Sequence, residues 1–212
     1  MTDWYRNTTW DDATRDAFLA RLARSRTQRD QYIVLQALTL AQVVPEAALE
    51  LVELYFETRT DDFDDGRAEF ARSQALLALG RIDDVADALR KTVALDAAND
   101  GLKTGAAQKY AAHVITHRMT DRYAEIDALL GDAPDRFLMP VEGHGWYAAR
   151  AVIAEFAGDR DQARDHARAA LREAARETSD LPGHPKLGLV TDTDSDLQKW
   201  LIEMAGPQGE AE

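Results

Sequence analysis

The sequence predicts an all-α protein that stacks about four helical hairpins between an N-terminal and a C-terminal helix. Apolar residues recur at helical spacing along most of the chain, and no stretch shows the sustained alternation of a half-buried strand. A near-constant period is a third indication, since it is typical of hairpins that bury their apolar faces against one another. A small or branched apolar residue recurs early in the second helix of each predicted hairpin, at intervals of 37, 39 and 39 residues: Ala48, Val85, Ala124 and Ala163.

The N-terminal helix is predicted to begin at Thr9, whose hydroxyl can cap the first turn, with Asp12 three residues further on. Its predicted buried stripe comprises Trp10, Ala13, Ala17, Phe18 and Leu22. The first hairpin follows over residues 27–58. Pro45 suits the first turn of its second helix, because the missing N–H would have had no intrahelical partner there.

Three further hairpins are predicted over residues 64–98, 101–131 and 144–177. Gly80 ends the first helix of the second hairpin, since glycine tolerates the left-handed conformation that many helix ends need. Asp159 is the predicted N-cap of the last helix of the fourth hairpin, because its carboxylate can accept from a free N–H of the first turn.

A stretch rich in helix-breaking residues, 178–192, separates the hairpins from the last predicted helix. That helix has Thr193 as its predicted N-cap, and its apolar face consists of Leu197, Trp200, Leu201 and Met204. No internal linker is long enough to suggest a second domain. We therefore expect one domain over residues 1–205, followed by a disordered tail, 206–212.

Two segments, 77–96 and 157–171, resemble tetratricopeptide repeat (TPR) motifs. Each has a glycine in the turn and a small or branched packing residue five positions later. Trp146 or Tyr147 stands where the family has a large aromatic residue. The second segment and the helix before it also match the small residues that let TPR helices approach closely: Ala151, Ala163 and Ala170. The resemblance covers about residues 27–177 and implies a right-handed α-α superhelix.

The resemblance also implies a concave groove, lined by the first helix of each hairpin, in which a peptide or partner protein docks. Carried over residue by residue, the binding residues are Ile33, Phe70, Gln74, Lys109, His113 and Val152. Lys109 matches the kind of residue with which chaperone-binding TPR domains hold a terminal carboxylate. The predicted function is therefore a non-catalytic interaction module, an adaptor or scaffold that binds a partner peptide or protein in this groove.

The charge of the chain limits the classes of partner that it is expected to bind. The 212 residues include 38 acidic and 25 basic ones, and the formal net charge is -13. A negative field repels phosphate backbones and anionic lipid, so we expect neither nucleic acid nor a membrane as partner. The charge also supports an alternative function, an acidic inhibitor or immunity-type protein that neutralises a basic enzyme. The oligomeric state stays open.

The residue composition indicates the cellular compartment in which we expect the protein. The chain contains no cysteine, which excludes disulfides and thiolate chemistry within it. No apolar run reaches the length of a membrane span, and the first residues lack the cationic and apolar regions of a secretory signal. We therefore expect a cytoplasmic protein, and the abundance of Arg, Ala and Asp suggests a bacterial one.

A second alternative function is that of a metal-dependent helical enzyme. His113 and His117 lie one helical turn apart, so both imidazoles can reach one metal ion, with Glu142 or His144 as a candidate third ligand. The pair lacks the intervening glutamate of zinc proteases, and no nucleophilic triad, phosphate loop or dinucleotide fingerprint occurs. We therefore predict that the protein is not an enzyme and takes no cofactor or metal.

Overall fold

The computed structural model describes residues 3–99 and 103–207, and within these ranges it has ten α-helices and no β-strand. This confirms the all-α prediction. None of the helices in this part of the chain is both long and apolar enough to cross a bilayer. They are α1 Asp12–Leu22, α2 Arg29–Leu40, α3 Pro45–Thr58, α4 Asp65–Ala78, α5 Ile82–Ala98, α6 Ala106–Thr116, α7 Tyr123–Leu130, α8 Pro140–Phe156, α9 Arg160–Ala174 and α10 Asp196–Ala205, with a 3₁₀ turn Thr120–Arg122 before α7.

The chain divides into two compact units, Met1–Tyr110 and Ala111–Glu212, and α6 begins in the first unit and ends in the second. From residue 208 onward the predicted disordered tail lies outside the described residues, as do residues 101 and 102 at the start of the predicted third hairpin.

Unit 1 is built from two consecutive hairpins, α2 with α3 and α4 with α5. The first helices of the two hairpins also pack side by side, α2 against α4, and α3 packs against α4. Ala48 and Val85, the first two positions of the predicted repeat, are both buried. Buried apolar residues of α1, α2, α3 and α4 form one continuous core, and α5 packs against α4.

Helix α1 differs from the prediction at its start and on its buried side. Asp11, not Thr9, is the N-cap, and its carboxylate accepts a hydrogen bond from the backbone N–H of Thr14 at 2.7 Å. The first turn thereby satisfies a donor that would otherwise have no partner. Two residues of the predicted stripe are buried, Phe18 and Leu22, and two are exposed, Ala13 and Ala17.

A buried glutamine ties the N-terminal segment, residues 3–11, to α2. Gln36 has no exposed surface. Its Oε1 accepts from the backbone N–H and from Nδ2 of Asn7, both at 2.9 Å, and its Nε2 donates to the Asn7 carbonyl at 2.7 Å. Trp4 and Tyr5 then cover the ring of Tyr32, with ring centroids 4.9 Å and 4.6 Å away. The segment therefore closes one end of the core of unit 1.

Unit 2 centres on the hairpin of α8 and α9. Helix α7 packs against α8, and α10 packs against α9. Small side chains let the two central helices approach closely, and the buried ones include Ala148, Ala151, Ala163, Ala167 and Ala170. Asp159 caps α9 as predicted, accepting from the backbone N–H of Gln162 at 3.0 Å. Ala124, in contrast, is exposed, so the burial predicted at the repeat position of α7 is wrong.

Three hairpin turns end in the same backbone motif, in which a residue with positive φ is followed by an N–H that donates to a carbonyl five residues earlier. Gly80 and Gly158 hold the left-handed position in two of them, with φ of 69° and 85°. In the turn after α6 this position is taken by Arg118, with φ of 52°, and the N–H of Met119 donates to the carbonyl of Val114 at 3.0 Å. A non-glycine residue in this conformation is less stable by about 1–2 kcal/mol.

Candidate functional site

The structure places the predicted groove residues in very different environments. Ile33 and Val152 have no exposed surface, and only 8% of His113 is exposed. These three residues form part of the cores and offer almost nothing to a partner. Phe70 and Gln74 are half-buried, Lys109 is exposed, and all three lie in unit 1.

Around Phe70 and Gln74, α2 and α4 each have a stripe of uncharged side chains. Seven residues make up this uncharged face, each half-buried or exposed: Gln31, Leu35, Leu38 and Gln42 from α2 and the turn after it, and Phe70, Gln74 and Leu77 from α4. Within each helix they recur at intervals of three and four, so they share one side. Gln42 Nε2 donates to Gln74 Oε1 at 3.2 Å, which joins the two helices across the face.

Lys109 borders the uncharged face. Its ammonium nitrogen lies 5.7 Å from the centre of the Phe70 ring, within the range in which the negative face of an aromatic ring attracts a cation. The side chain is exposed, so the ammonium keeps access to solvent. Phe70 and Lys109 therefore present an apolar surface next to a positive charge.

On α3 the outward side has the opposite character. Glu46, Glu50, Glu53 and Glu57 are all exposed and recur at helical spacing, forming an acidic face. Glu53 pairs with Arg72 of α4 at 2.5 Å. The other three make no ion pair with another described residue, and their mutual repulsion is relieved only by solvent and salt.

The acidic turn before α4 is held by internal contacts. The Tyr55 hydroxyl donates to Asp65 at 2.9 Å, and Arg59 also pairs with Asp65 at 2.9 Å. Burial, together with the hydrogen bond to Asp65, raises the pKa of Tyr55. Burial likewise raises the pKa of Asp64, against the opposing effect of its pair with Arg67. These contacts anchor the turn to the end of α3 and to the first turn of α4.

His113 and His117 are adjacent, as the sequence predicted, with ring centroids 4.5 Å apart. His117 is exposed, whereas His113 is buried. Among residues 3–99 and 103–207, however, no three side chains of His, Asp or Glu are placed to hold a metal ion together. Neither Glu142 nor His144 therefore joins the pair as a third ligand.

Unit 2 also contains a half-buried aromatic cluster that sequence reasoning missed. Trp146 lies 5.1 Å from Tyr147 and 5.9 Å from His166, measured between ring centroids, and Arg150 lies over its ring at 5.0 Å. Burial, with the nearby positive charge of Arg150, lowers the pKa of His166. The Trp146 indole N–H donates to the Leu130 carbonyl at 3.2 Å, so the cluster joins α8 to α7.

The connection between α9 and α10, residues 175–195, is a strap that crosses the start of α8. The N–H of Val141 donates to the Gly188 carbonyl and the N–H of Asp180 to the Leu138 carbonyl, both at 2.8 Å. Asp180 also pairs with Arg136 and Arg176, and the hydrogen bond from Arg136 lowers its pKa most. The strap ends at Ser195, which caps α10 in place of the predicted Thr193.

Beside the strap lies a cavity of about 490 Å³, within the size range of small-ligand pockets. Its walls come from α6, α8, the strap and α10, all within unit 2. The aliphatic part of the lining consists of Ile115, Val141, Leu189, Val190 and Leu197. The polar part consists of Thr116, Arg118, His144, Thr191, Asp192, Ser195 and Asp196.

Comparison with known proteins adds no family to this description. No protein-family model matches the chain, and no curated protein or solved structure matches it. The function is therefore inferred from the surface of unit 1 and from the surface and the cavity of unit 2.

Proposed function

We propose that this protein is a non-catalytic, TPR-like interaction module that binds a segment of a partner protein on the uncharged face of unit 1. The proposal rests on the lack of charged residues on this face. The rest of the chain differs from it, because 30% of all residues are charged and α3 and α5 are rich in carboxylates. The centre of a protein interface is depleted in charged residues and enriched in aromatic ones. Phe70 lies on this face among leucines and glutamines.

The helical packing supports the TPR-like part of the proposal. Consecutive hairpins pack on one another in unit 1, and the first helices lie side by side as such a stack requires. Three of the four predicted repeat positions are buried, Ala48, Val85 and Ala163. The shared turn motif at Gly80, Arg118 and Gly158 adds a second periodic feature that does not depend on side-chain packing.

The partner segment has apolar side chains and one carboxylate. Phe70 and Leu77 supply apolar contact area, while Gln42 and Gln74 supply amide donors and acceptors at the middle of the face. A carboxylate on the segment pairs with the Lys109 ammonium at its border, where the Phe70 ring already holds that cation in place. The pairing fixes the direction in which the segment lies, since electrostatic contacts specify register more than affinity.

Photo-crosslinking in cells of the source organism tests this proposal. The photoreactive residue p-benzoylphenylalanine replaces Phe70 or Leu77 on the uncharged face and, as a matched control, Glu50 or Glu57 on the acidic face. We expect one defined crosslinked protein from positions 70 and 77 and none from positions 50 and 57. An adduct confined to the acidic face, or none at any of these positions, overturns the proposal.

The crosslinked segment, made as a synthetic peptide, then allows affinities to be compared. We expect the combined change Phe70→Ala and Leu77→Ala to weaken binding by about 10-fold or more, because truncated aromatic anchors commonly lose over 1 kcal/mol. Lys109→Ala should reduce binding of the peptide with its carboxylate but not of the peptide with the corresponding amide. Equal losses for both peptides would contradict the assigned role of Lys109.

The acidic face of α3 favours a second candidate function, an acidic inhibitor that neutralises a basic enzyme. Glu46, Glu50 and Glu57 are exposed and unpaired within the described residues, and the net charge of -13 attracts a basic partner. In this case crosslinks form at positions 50 and 57. The association rate would also fall steeply with added salt, which distinguishes this mode from apolar binding on the other face.

A further inference from the structure

A cavity that the proposed function does not use lies within unit 2, beside the strap. Its aliphatic walls include Ile115, Val141 and Leu197, which come from three different helices. The strap that borders it is longer than the roughly 12–15 residues above which a connection without regular structure is usually either functional or disordered. The Val141 N–H donates to the Gly188 carbonyl and the Asp180 N–H to the Leu138 carbonyl, which holds this strap against α8 and the residues just before it.

Arg118 marks one side of the cavity and is held there in an unfavourable backbone conformation. The equivalent position is glycine in two other turns, Gly80 and Gly158, so the fold itself favours glycine at this point. The arginine side chain lies over the Trp200 ring at 5.0 Å and is 3.6 Å from Glu155, a weak and half-exposed ion pair. Backbone strain of this kind is concentrated at ligand-binding sites, where a side chain is needed in one particular place.

The other polar groups of the lining have the opposite charge or are neutral. His144 Nδ1 donates to the Ala170 carbonyl at 3.1 Å, so in the neutral form of the ring Nε2 is an acceptor. Asp192 and Asp196 add two carboxylates at the start of α10. Asp192 already accepts from the backbone N–H groups of the strap's end, and Asp196 is exposed and pairs loosely with Lys199 at 3.5 Å.

We propose that this cavity binds a small zwitterion with an aliphatic body, the chemistry of a free branched-chain amino acid. The carboxylate pairs with the Arg118 guanidinium, and the ammonium faces Asp192 or Asp196 and the free nitrogen of His144. The aliphatic body contacts the apolar walls. A zwitterion pairs with both signs of charge in the lining, whereas a simple anion or cation pairs with only one of them.

Calorimetric titration of the full chain with L-leucine tests this assignment. Two analogues isolate the charges: 4-methylpentanoate has no ammonium group, and 3-methylbutylamine has no carboxylate. We expect leucine to bind with a Kd on the order of 0.1–1 mM, a range suited to so small a ligand, and both analogues to bind at least about 10-fold more weakly. No binding of leucine at about 10 mM, or equal binding of all three compounds, overturns the proposal.

Two variants separate binding from folding. Arg118→Gly removes the guanidinium and also relieves the backbone strain, so the variant should melt no lower than the native protein while losing at least about 10-fold in leucine affinity. Val141→Trp narrows the cavity from a partly exposed wall position and should abolish binding. Arg160→Ala, an exposed arginine of α9 outside the lining, is the matched control and should bind as the native protein does. Unchanged leucine affinity in the Arg118 and Val141 variants would exclude this cavity as the site.

Discussion

Single residues decide where the backbone of this protein can turn or approach a neighbour. Gly188 shows this most clearly, because the strap lies against α8 at this point. Its φ is 73°, and a Cβ added there would lie 2.6 Å from the Met139 Cβ, closer than atoms can approach. Gly183 in the same strap also has a positive φ, 77°, but a Cβ there would meet nothing within 4 Å. The two glycines therefore separate conformational strain from steric overlap.

We predict that Gly188→Ala destabilises the protein more than Gly183→Ala. Both variants place alanine in the left-handed conformation, which is less stable by about 1–2 kcal/mol. Gly188→Ala must in addition displace the side chain of Met139, the N-cap of α8, which destabilises the fold by about a further 1–3 kcal/mol. Urea denaturation of both variants measures the difference. Equal midpoints would show that the strap does not lie on α8 as described.

At the scale of elements, the sequence predicted the helices well because their apolar periodicity, glycine turns and Asp159 cap are local features. The first turns of α1 and α10 were misplaced by two residues because Asp, Ser and Thr cap equally well, and spacing alone does not choose among neighbours. Burial was harder. Ala13 and Ala17 follow the helical stripe, yet α1 is a terminal helix with little packing beyond α2, so its alanines stay exposed.

The surface and the cavity were least predictable. Ile33 and Val152 were assigned to a groove by their register, but helices enclosed on most sides bury nearly every apolar residue regardless of register. The cavity depends on a strap without periodicity, so no local pattern indicated that residues 189–192 would meet α6. One feature of the sequence could have indicated the cavity: Arg118 stands where the two equivalent turns have glycine.

We predict that Gln36→Leu releases the N-terminal segment while leaving the helices intact. The change removes three hydrogen bonds with Asn7 and leaves backbone groups of the segment without partners, a loss of about 1–3 kcal/mol when such groups stay buried. Hydrogen exchange measured by mass spectrometry should show faster exchange in residues 3–11. Gln31→Leu, an exposed change on the same helix, is the control. Unaltered exchange in the Gln36 variant would mean that aromatic packing around Tyr32 holds the segment alone.

For the whole molecule the dominant feature is the excess of negative charge, which the ion pairs only partly offset. Many pairs join residues three apart on one helix, such as Arg72 with Glu69 of α4 at 3.1 Å. Such contacts are much shorter than the Debye length of about 10 Å at 0.1 M salt, so added salt weakens them less than it weakens interactions over longer distances. Repulsion among unpaired carboxylates, as on the acidic face of α3, acts over longer distances and is screened more strongly.

Added salt should therefore stabilise this protein. Raising NaCl from about 20 to about 300 mM shortens the Debye length several-fold, so the self-repulsion that disfavours the compact state falls. If this recovers about 1 kcal/mol, Tm rises by about 2–4 °C for a chain of this size. Calorimetry at several salt concentrations measures the shift, and the double variant Glu50→Gln with Glu57→Gln should show a smaller one, because two unpaired charges are already absent. A Tm that falls with salt would mean that the close ion pairs, rather than the excess carboxylates, dominate the electrostatic free energy of folding.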